Sequence, residues 1–202
     1  MKKLQSICFL LILTCFGTAC VGPLLNHESG RTVGDGKHLL RAMSSVDGYF
    51  GFTYDYGLSK NFDLGVQLEA LAFGLKGKYS FINSDTGFAA AALAGIGTTF
   101  GGTYYTFGAA GSFSASGWEH FGALKYTQVN IDPTEVKDSN TGSIFATIPA
   151  FDYNYTQAFL GTKYRFTDWF ALSAEAGSFI GNSSGLDISS DLYISLSGDF
   201  NY

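Results

Sequence analysis

The sequence predicts an all-β chain: an antiparallel up-and-down barrel that crosses a membrane with ten strands, eight being the alternative. Three observations predict it. Apolar and polar side chains alternate with a period of two, not 3.6, along one segment after another. Those segments approach or exceed the ~9–11 residues a tilted strand needs to cross a bilayer, whereas strands of soluble domains run to ~5–6. Turn residues punctuate them so that short connections and both termini fall at one end, and the long IDPTEVKDSNTGSIF connection falls at the other.

The elements follow in order. MKKLQSICFLLILTCFGTAC opens with Lys2 and Lys3, continues with an apolar run from Leu4 to Phe16, and closes on Gly17, Thr18, Ala19 and Cys20. That is the pattern of a secretory signal, read over residues 1–19, and the run is shorter than the ~17–25 residues of a spanning helix. Thr18-Ala19-Cys20 resembles the lipobox of bacterial lipoproteins, which implies acylation at Cys20. Gly17 departs from that pattern, and ordinary cleavage after Ala19 also fits. Cys8, Cys15 and Cys20 are the only cysteines, so the mature domain has no disulfide to rely on. Residues 20–34, CVGPLLNHESGRTVG, are small and polar and read as a periplasmic tether.

The barrel domain is expected over 35–202, with strands at 35–45, 48–58, 62–71, 73–82, 87–100, 103–113, 118–131, 148–166, 169–181 and 189–202. Phe62, Leu64, Val66 and Leu68 alternate with Asp63, Gly65, Gln67 and Glu69, and Phe73, Leu75 and Tyr79 with Lys76, Lys78 and Ser80. FAAAALAGIGTTFGG is rich in helix-forming alanine, but it is short and broken by Gly95 and Gly97. It reads as a strand whose small side chains leave room for large neighbours across a narrow interior. Between 150 and 166 the apolar parity changes from odd (Phe151, Tyr153, Tyr155) to even (Ala158, Leu160, Tyr164), which predicts a bulge near Thr156 or Gln157. The last segment, LYISLSGDFNY, alternates to its final residue, as a strand that must pair to close a barrel requires.

Alternation alone does not say which row faces inward. Arg41, Asp55, Asp63, Glu69, Lys76, Lys78, Glu119, Lys125, Lys163, Arg165 and Glu175 all lie on polar rows, spread over nearly every strand with both signs. Mixed charges can pair across a small lumen while apolar rows meet lipid. Tyr54, Tyr56, Phe62, Phe81, Phe113, Trp118, Tyr164, Phe166, Phe170, Phe200 and Tyr202 gather near strand ends, where a membrane protein places an interfacial girdle.

The signal, the YGLSKNFDLGV hairpin, GTKYRFTDWFAL and the terminal strand with Phe200 and Tyr202 together resemble the small bacterial outer-membrane β-barrel proteins. The resemblance implies that the outer membrane houses the chain, that its lipid surrounds it, and that the barrel-assembly machinery reads the last strand. A monomer is expected. With 12 basic against 17 acidic residues and no basic cluster in the mature chain, nucleic acid is set aside.

No chemistry stands out. His27 falls in the tether, while His38 and His120 begin strands at the periplasmic end, far from where an enzyme acting on outer-leaflet lipid needs its base. Asp132, Glu135 and Asp138 match no calcium-loop spacing, and the glycines form no phosphate cradle. The expected function is a non-enzymatic barrel, without cofactor or metal, serving envelope structure or surface contact. The alternatives are a narrow pore for small solutes or ions, a soluble lipocalin-like lipoprotein with an apolar ligand, and a lipid-modifying barrel enzyme.

Overall fold

A computed structural model describes residues 25–69, 72–99, 101–137, 144–183 and 192–202. The expected signal segment and Cys20 lie outside them. The described residues form twelve strands: β1 (His38–Ser45), β2 (Phe50–Ser59), β3 (Phe62–Glu69), β4 (Ala72–Ile82), β5 (Gly87–Thr99), β6 (Gly102–Ala115), β7 (Trp118–Ile131), β8 (Thr134–Lys137), β9 (Ile144–Ile148), β10 (Phe151–Arg165), β11 (Phe170–Ser183) and β12 (Leu192–Asn201). Ten of them close into one antiparallel barrel in the order β1-β12-β11-β10-β7-β6-β5-β4-β3-β2. The short β8 and β9 pair only with each other, as a hairpin inside the long connection that the sequence reads as loop.

Closure rests on the two terminal strands. β1 pairs with β12 from Leu39↔Asn201 to Ser45↔Ser195, and His38 and Tyr202 exchange backbone hydrogen bonds of 3.2 and 3.0 Å beyond the last ladder pair. The alternation therefore runs to Tyr202 because an unpaired edge would leave its amides and carbonyls unsatisfied in hydrocarbon. The start of β1 and the end of β12 share an end with the tight β2–β3, β4–β5, β6–β7 and β10–β11 connections, and the β8–β9 hairpin stands at the opposite end. By the usual asymmetry the first is the periplasmic end and the second the extracellular one. The β6–β7 turn shows why it can be so short: Ser116 and Gly117 both have positive φ, 52° and 82°, as a two-residue turn matched to strand twist requires.

The surface is apolar. Leu64, Leu68, Phe73, Leu75, Ile96, Phe107, Leu124, Leu160, Leu172, Ile194 and Leu196 are all exposed, more contiguous hydrocarbon than a water-soluble monomer carries. The acidic, lysine and arginine side chains of β1, β2, β3, β4, β7, β11 and β12 sit on the opposite, inward row. Outside, at the periplasmic end, aromatic rings meet in a belt: Trp118 with Tyr164 at 4.7 Å, Tyr164 with Phe166 at 4.9 Å, and Phe170 with Phe200 at 5.3 Å between centroids. This arrangement excludes the lipocalin-like alternative, which needs the apolar row inside.

Three expectations change. β10 has no bulge at Thr156 or Gln157, for its register is unbroken against β7 from Phe151 to Tyr164 and against β11 from Tyr153 to Arg165. Tyr153, Tyr155, Gln157 and Phe159 all point inward, and the apparent parity change arises because this part of the lumen takes aromatics. The register shifts lie instead near the periplasmic ends of β2, between Gly57 and Ser59, and of β4, between Ser80 and Ile82. β5 is a strand as expected, but its inward alanines make room for something other than the opposite wall. Ala89 and Ala91 are fully buried because the chain around Gly30 runs against them, so closely that a Cβ on Gly30 would stand 2.5 Å from the Ala89 carbonyl oxygen. Residues 25–34 are thus no free periplasmic tether: Leu25 to Ser29 are buried inside the barrel.

Candidate functional site: a plugged lumen

The segment Leu25–Val33 enters the barrel because it carries hydrogen-bonding groups at nearly every position and the inward rows carry their complements. At its outer end the Leu25 amide donates to Glu69 Oε1 at 3.0 Å. Asn26 donates from Nδ2 to the Tyr193 hydroxyl at 3.1 Å and accepts a bond from Lys125 Nζ. His27 is held on three sides: its amide donates to Glu175 Oε2 at 2.7 Å, Nδ1 meets Ser173 Oγ at 2.8 Å, and Nε2 meets Ser195 Oγ at 2.9 Å. These contacts fix a backbone with φ of 48°, which a side chain-bearing residue adopts only when its surroundings impose it.

Glu28 is the centre of the site. Its carboxylate lies 2.6 Å from Lys76 Nζ, 3.6 Å from Lys78 Nζ and 4.0 Å from Arg41 Nη1. Each of those cations has a second anion on the wall: Lys76 has Asp55 at 3.0 Å, Lys78 has Asp63 at 3.4 Å, and Arg41 has Asp199 at 2.9 Å. Lys163 carries the chain of charges onward, 3.5 Å from Asp199 and 3.0 Å from Glu119. Arg31 completes it from the plug, bonding Glu119 Oε1 and Ser112 Oγ at 2.8 Å each. Its Nε and Nη2 cap the carbonyls of Ser84 and Gly87 in the β4–β5 turn at 2.8 and 2.5 Å. Below it the Val33 amide is shared by both Asp63 carboxylate oxygens at 2.9 and 3.1 Å. A buried charge survives only when paired and hydrogen-bonded, and here plug and wall supply each other's partners.

The outer half of the lumen is built differently. Tyr104, Val129, Ile131, Tyr153 and Tyr155 form a buried cluster with Ala72, and Tyr49, Phe151 and Phe179 pack on it. Tyr153 stacks between Phe151 and Tyr155 at 6.0 and 6.2 Å. A second inward group, Phe121, Phe159 and Tyr193, extends from there down toward the periplasmic half. The expected polar, charge-paired interior is therefore ionic chiefly toward the periplasm and largely aromatic toward the outside.

Ten of the eleven predicted interior charges take inward positions where the sequence puts them: Arg41, Asp55, Asp63, Glu69, Lys78, Glu119, Lys125 and Glu175 are buried, and Lys76 and Lys163 nearly so. Arg165 does not join them. It ends β10 at the periplasmic rim with its side chain exposed. Asp199 belongs with the interior charges, and its place on the Ser195-Ser197-Asp199 polar row was the signal. Glu28, Arg31 and His27 are the larger omission. Their only signal is a run, NHESGR, too polar to form a wall strand and too well supplied with side-chain donors and acceptors for a mere spacer. His38 stays outside at the periplasmic rim, bonding the Tyr54 hydroxyl at 2.6 Å, and His120 stacks near Trp118.

Among the described residues little space remains at the centre of the lumen. Beside Glu28, Lys76, Lys78 and Lys125 the cavity amounts to about 20 Å³, room for one water. A larger recess of about 260 Å³ opens at the extracellular end, lined by Leu25, Asp47, Tyr49, Phe179 and Tyr193 among others.

No protein-family model matches the chain, and no curated protein sequence does. Solved structures with a similar trace are outer-membrane barrels. The N-terminal β-barrel domain of Pseudomonas aeruginosa OprF is 15% identical over 84% of this chain and 99% of that one, with a TM-score of 0.42. The β domain of the Bordetella autotransporter BrkA is 9% identical over 83% and 99%, at 0.44. The attachment invasion locus protein Ail of Yersinia pestis is 11% identical over 82% and 94%, at 0.31. Such distant likeness says nothing of activity, so the weight rests on the chain's own closed sheet, hydrocarbon exterior and ionic lumen: the fold is that of the bacterial outer-membrane β-barrel proteins, and the outer membrane is where the protein resides.

Proposed function

We propose that the protein is a closed, non-enzymatic outer-membrane barrel whose own N-terminal segment fills the lumen, serving envelope structure or surface contact and not permeation. One observation carries this reading: Glu28 stands among three wall cations in a space with room for about one water. An ion crossing the barrel would have to displace a segment tied at both ends of the lumen. The histidines do not favour catalysis, since His27 has both ring nitrogens engaged by serines deep inside and His38 lies at the periplasmic rim. Acylation of Cys20, lipid as the surrounding partner, a monomeric state and handling by the assembly machinery through Phe200 and Tyr202 belong to the same reading.

Planar-bilayer recording of the purified protein tests it. The expected trace shows no steady unitary steps in 1 M KCl. Regular channels from the unaltered protein would establish the narrow-pore alternative instead.

A further inference from the structure

The barrel wall is not equally tall all round. β1, β2 and β3 have 8, 10 and 8 residues, whereas β6, β7 and β10 have 14, 14 and 15. On β2, β3 and β4 the outward row stays apolar up to its extracellular end, where Phe50, Leu68 and Phe73 are exposed. On the tall side it does not. Outward from β6, β7 and β10, Tyr105, Gln128 and Asn154 stand side by side in one row, and Thr103, Asn130 and Asp152 in the next. All six are exposed or half-buried. Asn130 Nδ2 donates to the Tyr105 hydroxyl at 3.3 Å and Gln128 Nε2 to Asn130 Oδ1 at 3.4 Å, so these side chains form one array.

The height of the array follows from the strand that carries it. Gln128 is ten residues beyond Trp118 of the periplasmic belt on β7, which at ~3.4 Å per residue and a tilt of about 35–45° is a rise of roughly 24–28 Å, against an apolar band about 25 Å tall. The rings of Phe107 and Tyr126, 5.0 Å apart, lie just below it, where an outer girdle belongs. The array therefore faces sideways from the wall, at the level immediately outside the hydrocarbon. Among the described residues of β5, β6, β7 and β10, no lysine or arginine points outward above the periplasmic rim, and Asp152 adds a negative charge.

We propose that this face binds lipid headgroups of the same leaflet, and that the headgroup it takes is uncharged and rich in hydroxyls, the sugar of a glycolipid. Amide side chains carry both donors and acceptors, and hydroxyls do both at one atom, which matches the adjacent hydroxyls of a sugar ring. An anionic headgroup finds no cation on these strands and meets Asp152 instead. The sideways aspect selects the source. A lipid lying against Phe107 and Leu124 brings its headgroup to the array, whereas a glycan from another surface meets the strand tips first. The inference depends on where the wall crosses the membrane and holds whether or not the barrel conducts.

Lipid retention tests it. The protein is reconstituted in nanodiscs of phosphatidylcholine with equal minor shares of digalactosyldiacylglycerol and phosphatidylglycerol, and the lipids that stay bound on release are counted by native mass spectrometry. The unaltered protein is expected to retain the digalactosyl lipid about fivefold over the other two, relative to their shares, the scale of one net hydrogen bond. Gln128→Ala with Asn154→Ala should bring the ratio near unity while heat-modifiable migration is unchanged, and Gln128→Ala alone should lower it in part. No preference in the unaltered protein, a preference for phosphatidylglycerol, or one that survives these substitutions overturns the proposal. Binding of free digalactosylglycerol as tight as that of the lipid overturns the assigned source. The proposed closed-barrel function fails separately, on the conductance trace.

Discussion

The two halves of the lumen solve the same problem by different means. Toward the periplasm the inward rows carry Arg41, Asp55, Asp63, Lys76, Lys78, Glu119, Lys163 and Asp199, and Glu28 and Arg31 of the plug are interleaved among them. Toward the outside the rows carry Tyr104, Val129, Tyr153 and Tyr155, which fill their space by ring packing. An ionic layer loses stability steeply when a member is removed or reversed in sign, because buried charges depend on their partners. An aromatic layer tolerates exchange so long as its volume is kept. The periplasmic half thus reads as the clasp that holds the plug, and the outer half as filler that shapes the mouth.

Glu28→Lys is the sharpest way to break that contrast. It removes the anion shared by Lys76, Lys78 and Arg41 and adds a like charge, which should cost on the order of 3–5 kcal/mol, the scale for breaking a buried pair. The measurable outcome is a plug that leaves its seat: steady conductance where the unaltered protein is expected to show none, with a lower unfolding midpoint in urea. Unchanged stability and a silent bilayer would mean that Glu28 clasps nothing.

A smaller loss is expected on the lipid side, which both halves share. Leu160→Arg places a charge on a highly exposed outward position in the middle of β10 and should cost about 2–4 kcal/mol at bilayer depth, falling toward the interfaces. Conductance should stay absent, since the lumen is untouched. Unfolding in lipid vesicles measures the difference, and equal tolerance of Arg at Leu160 and at an exposed loop position would contradict lipid contact there.

Phe179→Leu should matter least. Phe179 packs on the aromatic cluster while only partly buried, and a hydrophobic replacement of similar bulk typically costs under about 1.5 kcal/mol. Heat-modifiable gel migration should be nearly unaltered and the trace silent. If this change opened the barrel as Glu28→Lys is expected to, the outer half would share in the clasp.

Much of the wall was legible in the sequence. Period-two alternation in LGVQLE or GLKGKYS gives each strand and its two rows, and the clustering of Lys76, Lys78, Asp55 and Asp63 on one parity shows which row is ionic. β10 was misread because Tyr153 and Tyr155 are chemically at home on either side of a membrane wall. Hydrophobicity assigns a side only where the two environments differ, and an aromatic outer lumen resembles the lipid interface more than it does a salt-bridged interior.

By itself, then, the chain's order of residues determined a barrel with strands long enough to cross a bilayer, its charges turned inward and its last strand paired. Those properties are local, set by the pleat and by turn chemistry. Only the closed tertiary structure decided that NHESGR lies within the cylinder, that Glu28 is shared by cations from β1 and β4, and that Leu25 sits at the outer mouth. The reason is physical: ten strands enclose a lumen whose wall charges pair with one another and still offer Glu28 and Arg31 partners from several strands at once. What threads it depends on which groups converge from strands far apart in the chain, and no periodicity within any one strand records that.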